Sequence, residues 1–151
     1  MTIIFNGNDF KYELESVVKL FYPAQSFNFL YNETDCEGDF CFTRLKKGKE
    51  FTWLFVVVRI NEKTSKLSTK IKNSVERLEG ECEFALAKML FLCLEKLTGT
   101  TPKWGILTGV RPVKRVNSMI ARGMIKDEIT KNLKDKFLVS EDKINLAYKT
   151  A

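Results

Sequence analysis

The chain has 151 residues, a formal net charge of +6 and a sequence pI near 9.1. A hydrophobic fraction of 44% with 29% charged residues describes an ordinary soluble globular chain of one domain or one domain plus an appendage. Four cysteines and no histidine exclude imidazole acid–base catalysis and His-ligated metal centres for this chain.

Met1–Asn6 is too short and too neutral for a signal peptide, and the apolar run Leu54–Val58 is far below the length of a membrane span. The chain therefore reads as cytoplasmic, with no membrane partner. In that compartment the four cysteines are expected to be reduced thiols. Cys82 and Cys93 lie eleven residues apart on one expected helix, roughly 16 Å along its axis, too far to share a metal. Cys36 and Cys41 flank the turn Glu37-Gly38-Asp39 and could face each other, but two thiols do not make a metal site.

In chain order, Thr2–Phe5 reads as a strand, and Asp9 as the N-cap of a helix from Phe10 to about Phe21 that Pro23 stops. Tyr12, Val17, Leu20 and Phe21 supply that helix's apolar positions. Phe27, Phe29 and Tyr31, then Phe40 and Phe42, alternate with polar or small residues as strands do. Phe51–Ile60 is almost continuously apolar, as in a strand covered on both faces. The segments Asp35–Asp39 and Lys46–Lys49 are short enough for hairpin turns. A long helix follows, with Ile71, Val75, Leu78, Cys82, Ala85, Met89 and Leu92 at helical spacing and Gly99 as its stop. Leu86, Leu90, Phe91 and Leu94 widen that stripe into a core-facing helix.

Beyond it, Pro112 suits the first turn of a helix ending near Arg122, with Val113, Val116 and Ile120 inward and Gly123 as terminator. A further helix carries Ile129, Leu133 and Phe137. Ser140, followed by Glu141 and Asp142, caps a last helix with Ile144 and Ala147 inward. Lys149-Thr150-Ala151 holds no stop signal, so the chain is expected to continue past Ala151. The expected fold is α+β: a small, mainly antiparallel sheet of about four strands packed on helices, followed by a C-terminal helical segment. The division is residues 1–99 as a leader and 100–151 as a loop plus helices.

The most informative stretch is Pro102-Lys103-Trp104-Gly105-Ile106-Leu107-Thr108-Gly109-Val110-Arg111-Pro112-Val113-Lys114. From Thr98 to Lys126 there are six basic residues and no acidic one. The loop runs into a helix N-terminus, whose free N–H groups and dipole favour an anion. Gly105 and Gly109 allow close backbone approach, Thr108 offers a hydroxyl, and Arg111 can grip a carboxylate or phosphate with two parallel hydrogen bonds. Trp104, Lys114 and Arg115 complete the candidate anion site. The same pattern also fits a tight loop whose glycines take positive φ, followed by a solvated basic helix. It is neither a Walker A loop nor a dinucleotide fingerprint. No catalytic residue and no metal ligand set is assigned.

Thr98-Gly99 with Pro102–Lys114, the turn Arg122-Gly123-Met124, and Phe137-Leu138-Val139-Ser140-Glu141-Asp142-Lys143 together resemble the signature preceding the radical-SAM barrel of HemZ-type coproporphyrinogen dehydrogenases. The resemblance is specific from about Thr98 onward; ahead of it the chain agrees only in kind, as an α+β leader. It implies a parent oxidoreductase of oxygen-independent haem and porphyrin biosynthesis. Such an enzyme carries a [4Fe-4S] cluster that cleaves S-adenosylmethionine, and a propionate side chain of the resulting substrate radical then loses its carboxylate as carbon dioxide and an electron to an acceptor, leaving a vinyl group. The cluster needs a C-x3-C-x2-C loop that this chain lacks, so the chain alone is expected to hold no cofactor and to be silent. Its expected partners are the parent's own barrel and a carboxylate-rich tetrapyrrole, which Arg111 and Lys114 would help to hold, or else a barrel contact they would brace.

Two other classes fit the residues less well. A basic nucleic-acid module could use the helices after Arg111 as a helix-turn-helix. However, Lys126, Lys131, Lys134 and Lys136 are offset by Asp127, Glu128 and Asp135, so nucleic acid is an unlikely partner by this reading. An interaction domain could dock through the apolar face around Leu86–Leu94.

Overall fold

A computed structural model describes residues 1–103, 105, 106 and 112–150, without the side chains of 112–116, 147, 148 and 150. It divides into two units, Met1–Thr100 and Thr101–Ala151.

The first unit is α+β. Strands β1 (Thr2–Asn6), β2 (Asn28–Tyr31), β3 (Phe40–Lys47), β4 (Phe51–Ile60) and β5 (Lys63–Lys72) form one sheet in the order β2-β1-β3-β4-β5. The sheet is mixed. β1 pairs in parallel with both β2 and β3, while β3–β4 and β4–β5 are antiparallel. Helix α1 (Lys11–Phe21) connects β1 to β2, and α2 (Leu78–Thr98) follows β5. Asp9 does not cap α1 with its side chain; Asn8 Oδ1 instead accepts from the Phe10 amide at 3.3 Å.

The pleat assigns every strand residue to a face. Ile3, Phe5, Cys41, Leu54, Val56 and Val58 point to the helical layer and are buried. There they meet Leu14, Val17 and Val18 of α1 and Leu86, Leu90, Phe91 and Leu94 of α2. Phe21 packs edge-on against Phe91, ring centroids 5.3 Å apart. Thr43 and Thr52, buried among these apolar groups, keep hydrogen-bond partners in Ile4 O (3.1 Å) and Asn73 Oδ1 (2.7 Å).

The other face is covered along part of its length only. Because β2 and β3 both run parallel to β1, residues 32–39 must recross the sheet, and Cys36 settles over Ile4, Phe40 and Phe42. Arg59 holds this crossing in place. Its guanidinium lies 4.7 Å from the Phe40 ring centroid and donates to Cys36 O and Gly38 O, both at 2.8 Å. The segment Asp35–Asp39 is therefore a crossover and not a hairpin turn, while Lys46–Lys49 does turn the β3–β4 hairpin.

Three further expectations change. Strand β5 replaces the start of the expected long helix: Ile71 is a strand residue paired with Thr52, and Val75 is exposed. β4 alternates between a buried face and a half-open one, with Trp53 exposed, so it is not covered on both sides. Tyr12 of α1 is 71% exposed, and Leu14 and Val18 take the inward positions instead. The β4–β5 hairpin closes through Asn61 and Glu62 at φ of 50° and 69°, the left-handed pair that a two-residue turn demands.

The second unit comprises α3 (Pro112–Ala121), α4 (Lys126–Lys131), a π-helical turn (Asn132–Lys136) and α5 (Glu141–Thr150). Gly123 ends the α3 region at φ 81°. Met119, Ile129, Leu133, Phe137, Val139 and Ile144 form its core. Ile120 is exposed and Met119 takes its inward place; Val113, Val116 and Ala147 lie outside the described side chains. Ser140 precedes α5 as expected, yet its hydroxyl is buried with no hydrogen-bond partner among the described residues, as is Asn132 Oδ1.

Candidate functional site

The loop candidate can be built only in part. Trp104, Thr108, Gly109 and Arg111 lie outside the described residues. Lys114 and Arg115 fall on the first turn and a half of α3 by backbone position, with their side chains outside the description. Among the described residues of the loop, Pro102, Lys103, Gly105 and Ile106 have a defined setting.

That setting is a backbone clasp. The Gly105 amide donates to Pro102 O at 3.1 Å, the Ile106 amide to Phe137 O at 2.9 Å, and the Ser140 amide to Lys103 O at 2.6 Å. Gly105 stands at φ 59°, and a Cβ there would collide with the Phe137 carbonyl oxygen and the Leu138 backbone. Glycine is thus required twice, by the left-handed conformation and by the close approach. Leu138 itself takes φ 58°, so both strands of the clasp are bent to meet. The contact joins Lys103, Gly105 and Ile106 to Phe137–Ser140, two segments that the sequence signature names separately. The spacing of the motif gives no hint of this contact.

The cysteines show what the chain can hold. Cys36 sits in the crossover, Cys41 on β3, and Cys82 and Cys93 on α2, all as free thiols. Burial pushes the Cys41 thiol well above its ordinary range, with Cys93 nearby adding to the effect. Burial likewise raises Cys82, with Glu81 and Glu79 contributing, and raises Cys93 against a hydrogen bond from Ser65. Thiols held protonated by burial, as Cys41, Cys82 and Cys93 are, are poor metal ligands. Among the described residues no group of three or more His, Cys, Asp or Glu side chains could hold a metal. The donor set does not fit an iron–sulfur cluster. No described helix is long and apolar enough to cross a membrane.

A second feature was not singled out by the sequence. Strands β3, β4 and β5 carry eight Lys or Arg residues and no acidic one, whereas the helices α1 and α2 carry six Glu against four Lys. Glu83 shows the crowding on the helical side: burial, then Glu13 and Glu79, raise its carboxyl above the usual range. The two layers of the unit thus bear opposite charge. The net charge of the whole chain hides the basic strands because acidic residues of the connecting segments, among them Glu33, Asp35, Glu37 and Asp39, offset most of their charge and the helices only a little.

No family model matches the chain. It is 43% identical over 53 residues to the oxygen-independent coproporphyrinogen-III oxidase-like protein HemZ of Bacillus subtilis strain 168, a match covering 35% of this chain and 11% of HemZ. Among solved structures, the Vibrio cholerae protein VC0702 superposes at a TM-score of 0.34 with 12% identity, over 65% of this chain and 76% of that one. The chain thus contains a region similar to HemZ, and that region spans about a tenth of HemZ's length.

Proposed function

We propose that the chain serves as the N-terminal, non-catalytic part of an oxygen-independent coproporphyrinogen III oxidase-like enzyme of haem biosynthesis. The single observation that carries this reading is the 53-residue similarity to HemZ at 43% identity. The parent's chemistry would come from a radical-SAM barrel with a [4Fe-4S] cluster and S-adenosylmethionine, beyond the residues of this chain. The chain's own contribution is then structural first. The clasp at Gly105 ties Lys103, Gly105 and Ile106 to Phe137–Ser140, and the cations that follow in sequence, Arg111, Lys114 and Arg115, would brace the barrel or a substrate propionate. Guanidinium groups are suited to either carboxylate.

Two measurements test this. The coding sequence following Ala151 should contain C-x3-C-x2-C, and a stop codon there would remove the proposal. In the full-length protein under anaerobic conditions, Arg111→Ala should lower decarboxylation of coproporphyrinogen. A raised KM at unchanged thermal stability would mark a substrate contact; lowered stability with unchanged KM would mark a brace. Wild-type activity and stability together would exclude both roles.

A further inference from the structure

The uncovered part of the sheet face combines rings and cations in a register that serves neither core packing nor edge protection. On β4, Phe51, Trp53 and Phe55 point away from the helices, spaced about 6.8 Å apart by the antiparallel rise of about 3.4 Å per residue. Their cross-strand neighbours on β3 are cationic or polar: Arg44 pairs with Phe55, and Lys46 with Trp53. On the other side Lys70 pairs with Trp53, its Nζ 5.3 Å from the indole centroid and 4.4 Å from that of Phe51. Trp53 is 42% exposed in the middle of the antiparallel part of the sheet. Lysines on β5 alone would serve to blunt an edge strand. Arg44 and Lys46 lie on β3, two strands inward of that edge, and Arg44 is paired on both sides, with Asn6 and with Phe55.

We propose that this face binds single-stranded nucleic acid, bases stacking on Trp53 and its aromatic neighbours while Arg44, Lys46 and Lys70 take the phosphates. Three features favour that occupant. The charge is complementary to a polyanion, since no acidic residue lies on strands β3–β5 and the Glu-rich helices occupy the opposite layer. The rings repeat at every second residue along one strand of a sheet, the spacing by which sheet platforms present aromatic side chains to successive unpaired bases. The ring faces that Lys70 now covers are the ones a base would occupy, and its ammonium can move to the adjoining phosphate. A duplex, with its bases already stacked, offers no ring face to Trp53. The surface differs from the expected helix-turn-helix in residues and in mode, and it stands independently of the loop and of the proposed enzymatic role.

The test is fluorescence anisotropy of a labelled oligouridine dodecamer titrated with the 151-residue chain. Binding should weaken with salt along a log–log slope of about −2, from roughly −0.7 per phosphate neutralised on a single strand. Trp53→Ala should weaken it about tenfold with an unchanged circular dichroism spectrum. Lys46→Gln with Lys70→Gln should make the salt slope shallower. No binding at low salt would overturn the proposal. So would Trp53→Ala binding as wild type, equal competition by inorganic polyphosphate or duplex, or displacement of the oligonucleotide by anionic vesicles at equal charge. A Lys114→Gln, Arg115→Gln variant that loses binding while the sheet variants keep it would move the site to the helix and overturn it too.

Discussion

Met1–Thr100 closes its core around a five-stranded sheet, whereas Thr101–Ala151 closes around short helices and a backbone clasp at one glycine. The larger unit can bury a layer of large side chains and still satisfy the polar groups it encloses: Thr43, Thr52 and Ser65 all have partners. In the smaller unit Ser140 Oγ and Asn132 Oδ1 are buried without one among the described residues, and the unit includes a π-helical turn. A segment of this size buries a smaller fraction of its surface, so each local contact weighs more. The difference teaches where each unit should break: the first by losing core volume, the second by losing a single backbone geometry.

The largest effect expected is in the first core. Leu90→Ala on α2, a fully buried position, should cost about 2–5 kcal/mol. Urea denaturation measures the loss, and hydrogen exchange should show it across residues 1–100 with Ile129 and Leu133 amides spared. Equal loss of protection in both units would break the comparison. Gly105→Ala should cost about 2–4 kcal/mol, summing left-handed strain and overpacking against Phe137 and Leu138. Its loss should be confined to residues 101–150; a neutral outcome would deny the clasp.

Alkaline pH sharpens the contrast further. Buried Cys41, Cys82 and Cys93 have thiol pKa values raised in the folded state, so their contribution is fully present below the ordinary value of 9.0. Above it the unfolded chain releases protons that the folded chain keeps, and stability falls by up to about 1.4 kcal/mol per pH unit for each thiol still protonated. Cys41→Ala should flatten that slope between pH 9 and 10, as followed by pH-dependent thermal melts; a steepened slope would reverse the sign of the argument. The smallest effect is at the crossover. Arg59→Ala removes the hydrogen bonds to Cys36 and Gly38 and the contact with Phe40, and should cost about 1–2 kcal/mol, with faster exchange confined to residues 33–40.

Much of the architecture was legible because it rests on periodicity. The apolar stripe of α2, the strand character of β4 and the stops at Gly99 and Gly123 each follow from local chemistry, whereas the alternating burial of β4 did not show in its nearly continuous apolar run. β5 was missed because Lys63–Lys72 is a lysine-rich edge strand with only Leu67 and Ile71 as large apolar residues. Its period-two signal, Ser65, Leu67, Thr69 and Ile71 on one side, was outweighed by the helical run that follows. The Asp35–Asp39 crossover could not be told from a hairpin, since a short turn between two strands says nothing about a third strand lying between them. The basic sheet face was invisible to charge counting for a similar reason: strand cations and the acids of the connecting segments sum in a sequence and separate in space. Of the loop, glycine placement pointed to tight backbone at Gly105, but its partner at Phe137 is a long-range contact that no local pattern carries.

The central claim is that this chain works within a coproporphyrinogen III oxidase-like enzyme. It is tested most directly by incubating the full-length gene product anaerobically with coproporphyrinogen III, S-adenosylmethionine, a reductant to prime the cluster and a one-electron acceptor for the substrate radical. The account predicts loss of propionate carboxylates as carbon dioxide and formation of vinyl groups, abolished when residues 1–100 are deleted or when Gly105→Ala is introduced. Absence of any decarboxylation from a protein whose iron–sulfur cluster is fully loaded would contradict it.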